Sequence, residues 1–551
     1  MKHYISIFCL LLTVLMILTS CSQTSGEKDV TGKYRLNKNG EAIINDVPFP
    51  KDASSGREAS ASDNARVFYE IFTGSFSDSN GDGTGDLRGI INRLDYLNDG
   101  DPDSGVSLGV EGLWLTPIFK SPSYHKYDVA DFYTIDPIFG TLEDFKELAE
   151  KCHSRNIKVI LDLPINHTSR QNSWYRQFEN AHATGNTGSE YYDFYSWYRE
   201  GSDHTQGTWS NIQGTPDYVE CNFSGDMPEL NFNNETVRKE VLAAAKYWLD
   251  QGADGFRFDA AKYLYLGNEP ENVNFWKWYV SELKAVKPDL YTVAEVWDAD
   301  AVTDAYYPAM NCFNFTLSQV SGLIAKAAKG GSVKNLTDYT EAYISRVKGL
   351  NPEAMIIPFI SNHDMDRAAG YLPASGGQMQ MGASLYLLSP GSPFIYYGEE
   401  TGRKGSRGSE NTDANRRLAM LWGDDDTVKD PEGSTYEQKN PGTVKEELGD
   451  GGSLLSFYKK LLMIRKANPE IAKGDYVSLD LKTSKAGGFK STLDGKTVYV
   501  LHNTSEDPVE IDLSLLSEGS APAISTFIGS GKAVVNDGKL TLDSLTSVVL
   551  R

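Results

Sequence analysis

The stretch Gly255-Phe256-Arg257-Phe258-Asp259 reads as a short strand that ends on a carboxylate. Side chains alternate along a strand with a period of two, so Arg257 and Asp259 share a side. A cation there would keep Asp259 ionised and hold its orientation, as a nucleophile requires. The segment before it carries a helical stripe, Val237, Val241, Ala244 and Trp248, spaced by four, three and four. Helix followed by strand with a charged end is one unit of a longer pattern.

Working outward, seven more strand candidates have the same texture: Arg66–Phe72, Gly112–Thr116, Ile157–Leu161, Leu290–Ala294, Cys312–Phe315, Met355–Ile360 and Phe394–Tyr397. Amphipathic segments such as Leu87–Leu97 and Leu142–His153 separate them. Alternating strands and helices argue for a parallel sheet with helical crossovers, and eight units for an α/β fold of the (β/α)8 TIM-barrel type. Asp162, Asp259, Glu295 and Asp364 stand at strand ends. Glu295 lies one unit after Asp259 and Asp364 two units after Glu295, at ~35 residues per unit. Asp162 and Asp259 end consecutive strands, yet about 60 residues more than one unit's connection separate them, an insertion after the third strand. The insertion contains Tyr191-Tyr192-Asp193-Phe194-Tyr195-Ser196-Trp197-Tyr198, whose rings suit the core of a small domain better than a sugar-stacking surface. Beyond the amphipathic Leu454–Ile464, short alternating runs such as Thr497–Leu501 and Val509–Leu513 predict a C-terminal antiparallel β domain. The expected organisation is a barrel over 65–166 and 235–470, an inserted domain over 167–234 and a β domain over 471–551.

Barrel enzymes place their chemistry at the C-terminal ends of the strands. Glu295 ends Tyr291-Thr292-Val293-Ala294, an otherwise uncharged strand, where partial desolvation would raise its pKa as a general acid requires. Asp364 follows Asn362-His363, whose side chains can hydrogen-bond a polyol. A single acid at a strand end is commonly a helix cap; four in a barrel pattern are not accounted for that way. Two carboxylates with a third to stabilise positive charge on a sugar suit glycosidic cleavage.

The motifs are specific. Asp162-Leu163-Pro164-Ile165-Asn166-His167, Gly255–Asp259, Glu295-Val296-Trp297 and Asn362-His363-Asp364 resemble the four conserved regions of the α-amylase family, in its order and spacing. Met227-Pro228-Glu229-Leu230-Asn231 is similar to a fifth region, with Glu229 where Asp is commoner. Tyr124-His125-Lys126-Tyr127-Asp128 resembles the family's substrate-stacking segment. The resemblance covers residues 66–551 and implies a barrel carrying an inserted domain B and a β-sandwich domain C. It implies that Asp259 is the nucleophile, that Glu295 is the acid and then the base, and that Asp364 binds sugar hydroxyls and distorts the ring. It makes His167, Arg257 and His363 contacts of that sugar, with Tyr127 stacking on it. Lys262 resembles a contact on the leaving side, although Tyr263 follows it where His is frequent. Such a carboxylate pair implies retention, with the carboxyl groups about 5–5.5 Å apart. Asp128 and the segment Arg416–Trp422 resemble oligosaccharide-acting relatives.

Asp78, Asn80, Asp82 and Asp86 place oxygens at positions one, three, five and nine of a glycine-rich loop, with a carbonyl available at Thr84. That donor set suits calcium. Gly89 occupies the position where an EF-hand needs an acid, and a strand rather than a helix precedes the loop. The loop resembles the structural calcium loop of many α-amylase relatives.

At the start of the chain, Lys2 precedes an apolar run from Ile5 to Leu18, a signal peptide over 1–20. Leu18-Thr19-Ser20-Cys21 resembles a bacterial lipoprotein box, which implies lipidation at Cys21, an extracytoplasmic mature chain anchored to a membrane, and a polar tether over 21–64. No other apolar run approaches the ~20 residues of a spanning helix. Cys152, Cys221 and Cys312 remain, an odd number at long spacing that is no disulfide framework.

The chain has 551 residues, 75 acidic and 53 basic, for a net charge of −22. That excludes charge-driven binding to nucleic acid. The expectation is a monomeric, lipid-anchored, endo-acting α-amylase on starch and maltodextrins. Neopullulanase or cyclomaltodextrinase, α-glucosidase and 4-α-glucanotransferase are the alternatives within the same chemistry. A non-catalytic glycan-binding protein would have lost Asp259, Glu295 or Asp364, and all three are present.

Overall fold

A computed structural model describes residues 63–551 apart from 102–103, 374–376, 440 and 518–520, and before residue 63 only the backbone of four short strands. The signal peptide and Cys21 lie outside the described residues. Within the expected tether, the strands 28–29, 34–36, 42–44 and 47–49 pair in order as an antiparallel meander.

The strands Phe68–Ile71, Gly112–Leu115, Lys158–Leu163, Gly255–Phe258, Tyr291–Ala294 and Asn311–Cys312 are neighbours in chain order in one parallel sheet, with Phe394–Tyr396 beside the first. Parallel bridges Phe313–Ile357 and Phe359–Phe394 fill the remaining gap and close a (β/α)8 barrel. The seventh staff is reduced to bridges because Pro358, at its centre, has no N–H to give the ladder; its carbonyl still accepts from Phe394 N at 3.0 Å.

The crossovers form where local signals agree. Thr141 and Asp144 make a capping box that starts Leu142–His153, and Phe145, Leu148 and Cys152 bury one stripe of it. Asn234 caps Glu235–Asp250, whose Val237, Val241, Ala244 and Trp248 face the barrel. Trp248 also donates from Nε1 to Phe132 O at 2.7 Å, so its buried polar atom is satisfied. The barrel interior is a separate apolar column that includes Phe68, Trp114, Ile160, Tyr291, Phe313 and Phe394.

The insertion forms its own small unit, the helix Ser173–Thr184 beside a three-stranded sheet of Trp197–Arg199, Asp217–Glu220 and Trp209–Asn211. Phe194 and Tyr195 of the aromatic run are buried, and Tyr195 packs on Tyr175 and Phe178. The C-terminal strands form an antiparallel five-stranded sheet and an antiparallel three-stranded sheet around a core including Leu501, Ile511, Leu540 and Val548. Cys152, Cys221 and Cys312 are free and buried. Among the described residues, no helix is long and apolar enough to cross a membrane.

Candidate active site

In four strands the two-residue period carries an interior position up to a carboxylate at the C-terminal end. Phe68 is followed by Glu70, Ile160 by Asp162, Val293 by Glu295, and Arg257 by Asp259. Parallel register sets Arg257 opposite Asp162 on one side and Val293 on the other. One guanidinium therefore meets carboxylates from three strands. Arg257 Nη1 donates to Asp162 Oδ1 at 2.8 Å and to Asp259 Oδ1 at 2.5 Å, and Nη2 pairs with Glu295 Oε2 at 2.8 Å. Ala260 N adds a donor to Glu295 Oε2 at 3.2 Å. Both candidate reacting carboxylates thus lie within the reach of a single fork.

Asp364 is held from other directions. His363 Nε2 lies 3.0 Å from its Oδ2, Arg417 Nη2 donates to its Oδ1 at 2.7 Å, and Arg416 Nη1 donates to its backbone carbonyl at 2.7 Å. Tyr127 Oη donates to Asp162 Oδ2 at 2.8 Å and lies 2.7 Å from His363 Nε2, with the two rings stacked.

These surroundings separate the three carboxyl groups. Burial pushes Asp259 up to about 6, opposed by Arg257 and reinforced by Asp162 and Asp364. One cation shared among three carboxylates does not offset the desolvation. Burial carries Glu295 further, to about 7, again opposed by Arg257 and reinforced by Asp259 and Asp364. Asp364 is lowered instead, because His363 and Arg417 overcome its burial. Burial alone would discharge His363, yet Asp364 and Glu70 hold the ring up to about 10. His167 is driven down to about 4 by burial, so its ring is neutral, and its buried Nε2 has no partner.

The cleft above this constellation has a volume of about 910 Å³. Asp259, Glu295, Asp364, Tyr127 and His167 line it, together with Tyr124, His125, Phe223, Trp297, Arg416 and Arg417. Phe223 and Trp297 are 45% and 39% exposed, apolar faces open to a ligand. A second cavity of about 670 Å³ lies at the opposite end of the barrel, and none of the strand-end carboxylates opens into it.

Four expected contacts do not line the cleft. Arg257 and His363 lie beneath it, buried, and act through the carboxylates they touch. Asp128 is buried and its Oδ1 accepts from Ser121 Oγ at 2.7 Å and from Ser123 Oγ. Lys262 Nζ donates to Trp297 O at 2.9 Å and pairs with Asp298 at 2.8 Å. The residues that sequence reasoning left unassigned are Glu70, Phe223, Trp297, Arg416 and Arg417. Glu70 had a signal, two residues past an inward Phe68; Phe223 and Arg417 lie in irregular loops where no periodicity points inward.

The loop from Asp78 to Asp86 is wrapped. Asp78 accepts from the backbone N–H of Asn80, Gly81 and Gly83 and from Thr427 Oγ1; Asn80 accepts from Asp82 N, and Asp82 from Thr84 N. Gly81 and Gly83 take φ of 85° and 95°, left-handed values that glycine adopts without a Cβ penalty. Asp86 caps the next helix through Gly89 N at 2.6 Å and binds Ser79 N and Oγ. Among the described residues no group of three or more His, Cys, Asp or Glu side chains is gathered for a metal. Asn80 Oδ1, Asp82 Oδ1 and Asp86 Oδ1 each accept one hydrogen bond and keep a second lone pair, a set of hard oxygens that fits calcium chemically, whereas both oxygens of Asp78 already accept two donors each, one of which an ion would replace.

Residues 70–474 match the model of the alpha amylase catalytic domain. The chain is 37% identical over 443 residues to "Alpha-amylase 3" of Dictyoglomus thermophilum, covering 79% of this chain and 84% of that one. It is 30% identical over 463 residues to a 4-alpha-glucanotransferase of Thermotoga maritima, covering 80% and 96%. Among solved structures, Eubacterium rectale Amy13B superposes with a TM-score of 0.81 at 32% identity, covering 89% of this chain and 96% of that one.

Proposed function

The chain belongs to the α-amylase family of glycoside hydrolases, and from that premise we propose that it is a retaining, endo-acting α-amylase that cleaves α-1,4 bonds of starch and maltodextrins. The observation that carries this reading is the grip of one buried guanidinium on Asp259 and Glu295, with Asp364 facing them across an open cleft. In the first step Glu295 gives its proton to the glycosidic oxygen while an Asp259 oxygen bonds to the anomeric carbon, so the leaving sugar departs neutral. In the second step Glu295, now ionised, takes a proton from water. That water displaces Asp259 and restores the starting configuration. Asp364, held ionised, binds hydroxyls of the reacting sugar and opposes the positive charge that develops on its ring. Neutral His167 offers its unpartnered Nε2 to the same sugar.

Phe223 and Trp297 supply faces on which further sugar rings stack, which favours a polymer over a disaccharide. Transfer to a sugar acceptor is the second reading, favoured by the similarity to a glucanotransferase. We further propose that Asp78, Asn80, Asp82, Asp86 and the Thr84 carbonyl hold a structural calcium ion, and that lipid on Cys21 anchors a monomer outside the cytoplasm. A product time course on starch, pullulan, cyclodextrin and maltose, with and without chelator, tests the reading. Early random shortening of starch is expected; glucose released only from chain ends would overturn endo action, and longer maltodextrins made from short ones would establish transfer.

A further inference from the structure

The mechanism makes no use of Glu70, a carboxylate that is 1% exposed at the end of the first barrel strand. A buried acid needs a partner, and its partner is His363. Glu70 Oε1 lies 2.6 Å from His363 Nδ1 and accepts from His363 N at 3.3 Å. The opposite ring nitrogen, Nε2, lies 3.0 Å from Asp364 Oδ2. The ring is fully buried between two carboxylates, one from the next residue and one 293 residues away in sequence.

We infer that Glu70 is a positioning residue: it fixes the His363 ring with a proton on each nitrogen, so that Nε2–H holds Asp364 ionised and aimed into the cleft. A neutral ring has one N–H and would leave one of the two carboxylates facing a lone pair. The remaining groups around the ring agree with a cation. Tyr127 Oη, 2.7 Å from Nε2, gives its own proton to Asp162 and so presents a lone pair to the ring. Asp162 acts on the same ring at longer range. Two cations lie near it and both are turned to other acceptors: Arg417 points Nε at the His363 carbonyl at 3.1 Å and Nη2 at Asp364, and Arg257, which also acts on Glu70 and Asp364, is engaged by Asp162, Asp259 and Glu295. Trp114 closes the site edge-on with ring centroids 5.7 Å apart. Burial raises the Glu70 carboxyl and the His363 ring opposes that rise, as expected of a pair that shares its charge.

The role given to Asp364 rests on the proposed glycosidase reading; the charge on the ring does not. The test is therefore made first without substrate, on the full chain carrying ¹⁵N-labelled histidine, with His363→Gln identifying the signal. At about pH 8 an ordinary imidazole is neutral, its pKa being about 6.5; both nitrogens of His363 are expected to remain protonated. In Glu70→Gln the ring's proton affinity falls at least roughly tenfold, and kcat/KM on maltodextrin falls on the order of tenfold to a hundredfold, the size typical of losing an outer partner of a functional group. Glu70→Asp, which keeps the charge, is expected to recover part of both. A neutral ring in the unaltered protein at about pH 8 would overturn the inference, even if the variants fail to fold. So would Glu70→Gln with an unchanged ring, whatever its activity, since Glu70 would then serve packing alone. Full activity in Asp259→Ala would instead sink the glycosidase reading and leave the ring measurement standing.

Discussion

Two clusters of carboxylates in this molecule are built on opposite plans. Asp162, Asp259 and Glu295 come from three strands and converge, buried, on Arg257. Asp78, Asp82 and Asp86 fall within nine consecutive residues and are answered mainly by backbone N–H groups of the same segment. In the first cluster Asp162 and Glu295 depend on a guanidinium far away in sequence, which Asp259 shares, and desolvation leaves pKa values displaced toward neutrality. In the second the loop satisfies its own acids, and at Asp78 burial is outweighed by the hydrogen bonds that the loop and Thr427 donate. Burial with too few cations makes carboxylates reactive; local satisfaction makes them structural.

Removing a member of each cluster should therefore give effects of different kind. The largest is expected from Asp259→Ala, which takes away the oxygen proposed to attack: kcat should fall by about 10⁴-fold or more. Thermal unfolding of the same variant should show little loss, because one of three carboxylates competing for Arg257 has gone. A variant that keeps a tenth of its activity would break the contrast.

Next comes the guanidinium. Arg257→Leu leaves three buried carboxylates without their common partner, and loss of one side of a buried pair costs about 3–5 kcal/mol. The denaturant midpoint should drop accordingly. In any folded fraction Asp259 and Glu295 should titrate higher still, since the pull that opposes their burial is removed. An unchanged midpoint would mean that water or other groups already compensate the acids.

The pH profile sharpens the same point. The proposed cleavage needs Asp259 ionised and Glu295 protonated. With values of about 6 and about 7, kcat/KM should describe a narrow bell, falling tenfold per pH unit on either side. The acid limb reports protonation of the nucleophile and the alkaline limb loss of the acid's proton, as apparent values of a coupled pair. Asp364 contributes no limb in that range, because it is lowered. A broad plateau down to strongly acidic pH would show that Arg257 holds Asp259 low after all.

The same contrast explains what the sequence made legible. Barrel, insertion and C-terminal sheets follow from periodicity that each segment carries alone, and so does the wrap at Asp78, where Asp, Asn and Gly alternate within one turn. The strand-end acids could be named because a period of two and a parallel sheet send them to one rim. What joined them could not be read. Arg417 reaches Asp364 from an irregular loop 53 residues on, and Asp128, adjacent to the cleft residue Tyr127, turns to Ser121 and Ser123. Even Pro358, plain in the sequence, reveals its effect on the seventh staff only when its neighbours are known. Contacts between irregular segments depend on tertiary packing, which no local pattern records.

The smallest effect is expected in the loop, and it separates hydrogen bonding from calcium. Asp78→Ala removes a carboxylate that accepts three backbone N–H groups and the Thr427 hydroxyl, so about 1–3 kcal/mol of stability should be lost without any metal. The Asp78 carboxyl is lowered because these donors outweigh its burial. A folded-state pKa below the unfolded one stabilises at neutral pH, and that stabilisation fades as pH falls through the lowered value. Calcium would add to this in proportion to its free concentration relative to its dissociation constant. Chelation should then lower the thermal midpoint of the unaltered protein and leave Asp78→Ala unmoved. If both proteins ignore the chelator while the variant is still less stable, the loop is held by its own N–H groups alone, and its resemblance to a calcium site is one of sequence rather than occupancy.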